Sequence, residues 1–276
     1  MSIAVVMSVY KKEKPEYLDL AMKSIWIDQT LKPTEVIIVE DGMLTTDLYD
    51  VLDKWKQEIG NKYICLKNEV NIGLTKSLNI CLKKVTSKYV ARMDSDDICL
   101  PFRFEKQYNY LEKNKDIGIL GCNIQEIDED NVYTKLRYYP LQPNEIIEYI
   151  PKATPLQHSA VMMRNEIFDN GLKYNENYIM TQDLALWFDA IENGVNIANL
   201  PEILLLFRIT KDTFSRRNKS KAIHEFKIYM KGIYRLNGFS LKYIYPISRL
   251  IMRFLPSSFI KFIYDSRLRK MVLKNK

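Results

Sequence analysis

Histidine and cysteine are scarce in this chain, with two and four residues among 276. No two of Cys65, Cys81, Cys99 and Cys122 form a Cys-x-x-Cys pair, and His158 and His224 lie far from them in sequence. A cysteine-based zinc site is therefore not expected, and reduced, buried thiols of a cytosolic protein are the simpler reading. The nine glycines form neither G-x-G-x-x-G nor G-x-x-x-x-G-K-[ST], which argues against the dinucleotide-binding fingerprint and the P-loop. The opening Met1-Ser2-Ile3-Ala4-Val5-Val6-Met7 lacks a basic leader region and a cleavage site. It reads as a first core strand, not a signal peptide. Acidic residues are nearly missing from one end, where residues 208–276 hold 18 Lys and Arg against 3 Asp and Glu. That end nowhere runs about 18 residues without a charge, which excludes a membrane-spanning helix there. No internal repeat or low-complexity segment is present.

What is there has the composition of a folded globular protein, 47% hydrophobic and 27% charged. The length suits one large domain or two smaller ones. The first 125 residues alternate short β-branched runs with longer amphipathic stretches. Strands are predicted over 3–9, 36–39, 63–66, 89–93 and 117–127, and helices over 17–28, 48–59, 75–84 and 103–114. Such alternation implies βαβ units and an α/β fold with a mostly parallel sheet. Farther on, an edge strand is predicted over 132–138, then a loop-rich region punctuated by Pro140, Pro143, Pro151 and Pro155. A strand over 159–164, a helix over 182–192 and two strands over 195–200 and 203–209 follow. Beyond Thr213 the pattern is helical, broken by Pro246 and Pro256.

Residues 89–97 read Tyr-Val-Ala-Arg-Met-Asp-Ser-Asp-Asp. An apolar run ends abruptly in three carboxylates, Asp94, Asp96 and Asp97. Packing does not explain the cluster, because crowded like charges repel unless something positive sits among them. Carboxylate oxygens are hard ligands suited to Mg²⁺ or Mn²⁺, and such a metal takes part of its shell from substrate phosphates. A metal-bridged nucleotide site at the carboxyl end of a strand is the reading, where open α/β sheets place ligands. The other early strands end at Ser8-Val9-Tyr10 and Glu40-Asp41-Gly42. Gly42 permits a tight turn, and carboxylates there can accept hydrogen bonds from a base N–H or ribose hydroxyls. Asn71 and Gly73 are turn residues before a helix, with Thr75 a candidate N-cap.

The ordered set Val5-Val6-Met7-Ser8-Val9-Tyr10, Val39-Glu40-Asp41-Gly42, Asn71-Ile72-Gly73-Leu74-Thr75-Lys76-Ser77-Leu78-Asn79 and the run over 89–97 resembles the family 2 glycosyltransferases. These are nucleotide-sugar enzymes with the GT-A fold, and the resemblance spans residues 3–210. It implies a GT-A catalytic domain over 1–212, with a nucleotide-sugar half (1–125) and an acceptor half (126–212). A basic, amphipathic helical extension follows over 213–276. The resemblance assigns Ser8, Tyr10, Asp41, Asn71, Lys76, Arg92, Asp94, Ser95 and Asp96 to a UDP-sugar. Asp41 would contact the uracil and Asp94 would lie near the ribose. Asp96 would be the principal ligand, beside Asp94, of an Mn²⁺ or Mg²⁺ ion on the diphosphate. The family also needs a base for the acceptor, usually in a Glu-Asp pair before Leu-Trp. Here Thr181-Gln182-Asp183-Leu184-Ala185-Leu186-Trp187 offers Asp183, while Gln182 replaces the customary Glu and removes one supporting carboxylate. Asp183 and Trp187 are four residues apart and share a helix face; Trp187 is either a floor for a sugar ring or core. Without the resemblance, Asp183 reads as a helix-start carboxylate favoured by the macrodipole. Asp97, His158, Trp187 and Arg208 are assigned to the acceptor or diphosphate side. A neutral core histidine is the alternative for His158. Arg208, followed by Lys211, Arg216 and Arg217, suits bidentate phosphate contacts or a solvated basic loop.

The net charge of +7 divides into +15 over residues 208–276 (18 against 3) and −8 over the rest (23 against 31). Basic and aromatic residues at helical spacing fit an interfacial segment on anionic lipid; the plain alternative is the solvated face of a helix packed on the body. The whole pattern looks most like bacterial enzymes that build O-antigen, capsule or exopolysaccharide repeat units. That likeness implies inverting transfer of galactose or glucose from a UDP-sugar to a HexNAc-diphosphate-undecaprenol acceptor, in β1,3 linkage. It also implies a cytoplasmic enzyme peripheral on the inner face of the membrane. A nucleotidyltransferase would need a basic Gly-rich entry loop, whereas Lys11-Lys12-Glu13-Lys14-Pro15 has no glycine. A nucleic-acid binder would explain the tail but not the acidic cluster, so no nucleic-acid partner is expected. A silent sugar-binding module would keep donor binding without turnover.

Overall fold

The apolar run Ile3–Val9 forms β1 and is buried along nearly its whole length, as a strand covered on both faces requires. In a computed structural model that describes residues 2–210 and 219–254, β1 pairs in parallel with β2 (Glu35–Asp41) and β4 (Tyr89–Arg92). Strand β2 pairs in parallel with β3 (Tyr63–Asn68). Helices α1 (Pro15–Trp26), α2 (Thr46–Ile59) and α3 (Leu74–Leu82) connect these strands. The chain continues through β5 (Ile98–Cys99), α4 (Arg103–Lys113), β6 (Ile117–Ile127), β7 (Tyr133–Arg137) and α5 (Pro143–Tyr149). It goes on through β8 (Met162–Arg164), α6 (Glu166–Asp169), α7 (Gln182–Glu192) and β9 (Asn196–Arg208). Helices α8 (Lys219–Asn237) and α9 (Ile244–Phe254) close the described chain.

The strand order is β3-β2-β1-β4-β8-β6-β9-β5, with β7 paired to β6. Because β8 opposes both β4 and β6, and β9 runs with β6, strands β1 to β4, β6 and β9 all point one way. The expected α/β architecture, a mostly parallel sheet flanked by helices, is therefore the one that forms. Alternate residues of β1 feed two cores, as the two-residue period of a strand dictates. Val5 and Met7 join Met22, Leu48, Trp55 and Phe104 on one face. Ala4 and Val6 join Leu78, Trp187, Tyr229 and Ile233 on the other.

Four local expectations are corrected. The strands predicted over 195–200 and 203–209 are one strand, β9. Its register against β6 slips between Cys122 and Asn123, where Pro201 lies. Proline has no N–H to donate, and Asn123 Nδ2 donates to its carbonyl at 2.7 Å. The loop-rich region contains α5, whose first turn carries Pro143 and whose Glu145 carboxylate accepts from the Leu141 and Gln142 N–H groups. The strand predicted over 159–164 begins with a 3₁₀ turn, His158–Ala160, and only Met162–Arg164 pairs. Pro246 does not break the terminal helices. It sits in the first turn of α9, where its missing N–H would have no helical partner. The break falls at Gly238, with φ +60°. Pro256 lies outside the described residues.

Candidate active site

Strand β4 ends at Arg92, and the chain then turns through residues 93–97 before β5. One oxygen from each of Asp94, Asp96 and Asp97 lies within 4.8 Å of the others. Burial, then the charge of Asp94, pushes Asp96 up to about 6. Burial and both neighbouring carboxylates hold Asp97 well above the usual carboxylate range. Asp97 Oδ2 is buried without a hydrogen-bond partner. Three converging oxygens whose charges raise one another's proton affinity are a donor set that a hard divalent cation fits. The partly exposed Asp94 and Asp96 are the residues that would hold Mg²⁺ or Mn²⁺.

Arg92 lies in the middle of this arrangement. Its guanidinium is buried and its Nη2 pairs with Asp94 Oδ1. Its Nε and Nη1 are buried without partners. Its charge is also felt at Asp97, Asp183, His158 and Tyr174. Arg103, which the sequence reading passed over, supports this end of the strand. Its Nη2 donates to the Arg92 carbonyl at 2.8 Å and to that of Val161 at 3.2 Å. Nothing in the amphipathic pattern of α4 distinguishes Arg103 from a surface arginine.

Ser8, Tyr10 and Asp41 lie at the same carboxyl edge, because Ser8 is paired with Val39 and Val6 with Arg92. Asp41 is buried, and its carboxylate accepts from the N–H groups of Ile72 (2.8 Å) and Gly73 (2.9 Å) and from Asn68 Nδ2 (3.0 Å). Asn71 Nδ2 donates to the Asp41 carbonyl at 3.1 Å. Gly42 has φ +83°, and a methyl group there would lie 2.7 Å from the Asn71 nitrogen. Asp41 thus builds the turn that starts α3. Asn71 and Lys76 are exposed, and Ser95 is buried.

Helix α3 reaches from that turn to the other half of the site. Asn79 Nδ2 donates to the Tyr174 carbonyl (2.9 Å), and the Tyr174 N–H donates to Asn79 Oδ1 (3.1 Å). Thr75 Oγ1 donates to the Tyr178 carbonyl at 2.7 Å. The Tyr174 hydroxyl meets His158 Nε2 at 2.7 Å. Burial, then Arg92, holds His158 well below the usual histidine range, so it is neutral. Thr181 precedes α7 in the left-handed region, φ +58°, and Asp183 lies in the first turn of that helix. Burial raises the proton affinity of Asp183, while the Leu184 N–H and the charges of Arg92 and Lys221 oppose the shift.

Two residues expected on the acceptor or diphosphate side are placed otherwise. Trp187 is completely buried and meets the His158 ring edge-on at 5.9 Å. It belongs to the core cluster with Leu78, Tyr229 and Ile233 and offers no face to a sugar, because none of its surface is exposed. Arg208 is also buried. Its Nε donates to the Asp96 carbonyl (2.8 Å), Nη1 to the Asp128 carbonyl (3.0 Å) and Nη2 to Asn131 Oδ1 (2.8 Å). Its backbone N–H donates to Asp97 Oδ1 at 2.9 Å, and its guanidinium lies 4.0 Å from the Tyr17 ring centroid. A guanidinium so occupied clamps the acidic turn and is not available to phosphate. Lys211, Arg216 and Arg217 lie outside the described residues.

Residues 4–172 match the family model for Glycosyl transferase family 2. The chain is 32% identical over 264 residues to the amylovoran biosynthesis glycosyltransferase AmsE of Erwinia amylovora, covering 95% of this chain and 97% of that one. It is 35% identical over 275 residues to the UDP-Gal:alpha-D-GlcNAc-diphosphoundecaprenol beta-1,3-galactosyltransferase of Escherichia coli, covering 98% and 97%. Among solved structures, S. aureus TarS 1–349 in complex with UDP-GlcNAc superposes with a TM-score of 0.61 at 18% identity, covering 92% of this chain and 81% of that one. The mannosyltransferase PcManGT from Pyrobaculum calidifontis in complex with GDP-Man and Mn²⁺ gives 0.64 at 14%, covering 90% and 68%. At such identities these two show the fold alone, which is GT-A. The family match over most of the sequence, with relatives aligned nearly end to end, shows that this chain belongs to glycosyltransferase family 2.

Proposed function

We propose that this glycosyltransferase moves a hexose, galactose or glucose, from a UDP-sugar to the HexNAc of a HexNAc-diphosphate-undecaprenol acceptor. The linkage formed is β1,3, and the product serves a bacterial surface polysaccharide. One observation carries the reading: buried Arg92 pairs with Asp94 of the acidic turn, and its charge also acts on Asp183, a carboxylate from a distant segment. The choice of donor and acceptor is supported by the galactosyltransferase relative, whose name gives both.

In this reading the edge formed by Ser8, Tyr10, Asp41, Asn71 and Lys76 receives the uridine, with Asp94 at the ribose. Arg92, through its pair with Asp94, and Ser95 back the diphosphate side from beneath. Asp96 and Asp94 are the residues that would hold a divalent cation, which would supply Lewis-acid neutralisation of the charge on the departing diphosphate. Asp183 is the general base and accepts the proton of the attacking acceptor hydroxyl. The bond from the acceptor oxygen to the anomeric carbon forms as the bond from that carbon to the diphosphate oxygen breaks. Attack opposite UDP inverts the configuration. The basic C-terminal segment holds the enzyme peripherally at the inner face of the cytoplasmic membrane, where a lipid-linked acceptor presents its sugar. No helix among the described residues is long and apolar enough to cross a membrane.

The test is acceptor-dependent UDP release with Mn²⁺. UDP-Gal, UDP-Glc, UDP-GlcNAc and UDP-GalNAc are crossed against GlcNAc- and GalNAc-diphosphate-lipid acceptors. Release with UDP-Gal or UDP-Glc, lost in Asp183→Asn and Asp96→Ala, is expected. Turnover only with a HexNAc donor overturns the donor assignment, and wild-type rates in Asp183→Asn overturn the base.

A further inference from the structure

Helix α9 packs with its charges turned inward. Arg249 Nη1 reaches Glu225 Oε1 of α8 at 2.9 Å, and its guanidinium lies 4.6 Å from the Tyr229 ring centroid. Arg253 Nη2 is 3.6 Å from Glu225 Oε2. The opposite stripe carries Ile244, Ile247 and Ile251, spaced by three and four residues, and all three are exposed. A helix packed only against the body would turn that stripe toward the core. The α8–α9 corner adds Phe239 and Leu241, each 94% exposed. Phe239 meets the Tyr234 ring edge-on at 5.8 Å between centroids, and Tyr234 is itself exposed. Large apolar side chains gathered in this way on exposed surface mark an interaction face.

We propose that this corner and stripe dock on an anionic lipid bilayer, with Phe239 and Leu241 as the inserted side chains. The proposal rests on the membrane-surface reading above and assigns it to a face. Charge selects the occupant. Residues 208–276 carry +15, so a second copy would bring the same positive segment against its own like, whereas anionic headgroups complement it. Apolar and aromatic side chains within a segment rich in lysine and arginine are the composition of an interfacial segment. The docked face is tied to the chemistry through α8. Gly232 lies so close to Phe188 of α7 that a methyl group there would be 2.4 Å from the ring. Phe188 and Tyr229 meet edge-on at 6.0 Å, and Arg235 Nη1 pairs with Asp189 Oδ1 at 2.6 Å. Helix α7 begins beside Asp183, so the bilayer that seats α8 and α9 also orients the proposed base toward a headgroup-level acceptor.

The experiment is co-sedimentation of the full-length protein with phosphatidylcholine vesicles, with and without phosphatidylglycerol. The wild type is compared with Phe239→Ser/Leu241→Ser and with Ile247→Ser/Ile251→Ser. All four residues are exposed, so both variants should fold. Binding to the phosphatidylglycerol vesicles is expected, falling about tenfold or more in the first variant, which removes the apolar area of both inserted side chains. Turnover of a bilayer-embedded acceptor should fall in parallel, while turnover of a short-chain, water-soluble acceptor stays at the wild-type rate. Undiminished vesicle binding by both variants overturns the proposal. So does concentration-dependent dimerisation of the wild type in solution that either variant abolishes, because a second copy is then the occupant. Vesicle binding is read without donor or acceptor, so a wrong donor or linkage leaves this result standing.

Discussion

In the proposed mechanism Asp183 and Asp96 divide the chemistry between them, and their substitutions should fail differently. Asp183→Asn keeps the shape and removes the base. Transfer should fall by about 10²–10⁴, the usual contribution of a positioned base, with UDP affinity unchanged in a calorimetric titration. Asp96→Ala should instead lose Mn²⁺-dependent UDP binding in the same titration. Burial raises the proton affinity of Asp183, and only the deprotonated form can act as base. The acid limb of kcat/KM should therefore lie above the ordinary aspartate value of about 3.9, with the rate rising as pH rises through it. His158 shows its burial in stability. Its proton affinity is lowered in the folded state, so the unfolded chain takes up the proton first as pH falls. Its contribution is complete above about pH 6.5 and is lost below, by up to about 1.4 kcal/mol per pH unit. Urea unfolding should show that extra acid slope in the wild type and not in His158→Gln; equal slopes would contradict a neutral buried imidazole.

Elements, more than single groups, bring the two halves of the site together. Asp41 fixes the turn that starts α3, and Asn79 on the same helix pairs with both backbone groups of Tyr174. Tyr174 in turn bonds His158. Asn79→Ala leaves those two buried backbone groups unpaired, at about 1–3 kcal/mol. Thermal unfolding should register that loss, and KM for the acceptor should rise more than KM for the donor. Gly42→Ala forces a side chain into a left-handed position against the Asn71 backbone. It should destabilise the fold by about 1–3 kcal/mol and weaken UDP binding, because the turn it disturbs belongs to the donor side. The early strands were legible because fully buried parallel strands are written as apolar runs. The single long β9 was not, because a proline in its middle reads as a boundary until the neighbouring strand is seen to slip past it.

Among the described residues a parallel set of strands, β1 to β4, is joined to a mixed set, β5 to β9, and α8 packs against α7 with α9 against α8. The closest fastening is Gly232 against Phe188. Gly232→Leu should overpack that contact by about 1–3 kcal/mol, detected as faster proteolysis within α8. Loss of acceptor turnover should exceed loss of UDP binding, because α8 backs the helix that carries Asp183 and not the uridine edge. A variant with unchanged proteolysis would show that the two helices do not depend on each other.

Family, fold class, the acidic turn and the charge of the C-terminal segment were determined by the sequence alone. Each is written in contiguous residues: strand runs, a glycine at a forced turn, three carboxylates in four positions. Tertiary structure decided which of these groups remain available. It sealed Trp187 in the core and spent every guanidinium nitrogen of Arg208 on the acidic turn and its neighbours. It paired Arg92 with Asp94 and left its other two nitrogens buried without partners. The stripe of α9 was likewise assigned by packing, which drew Arg249 and Arg253 toward Glu225 and turned the isoleucines outward. A short sequence window cannot carry such outcomes, because each depends on a partner brought close only by the fold.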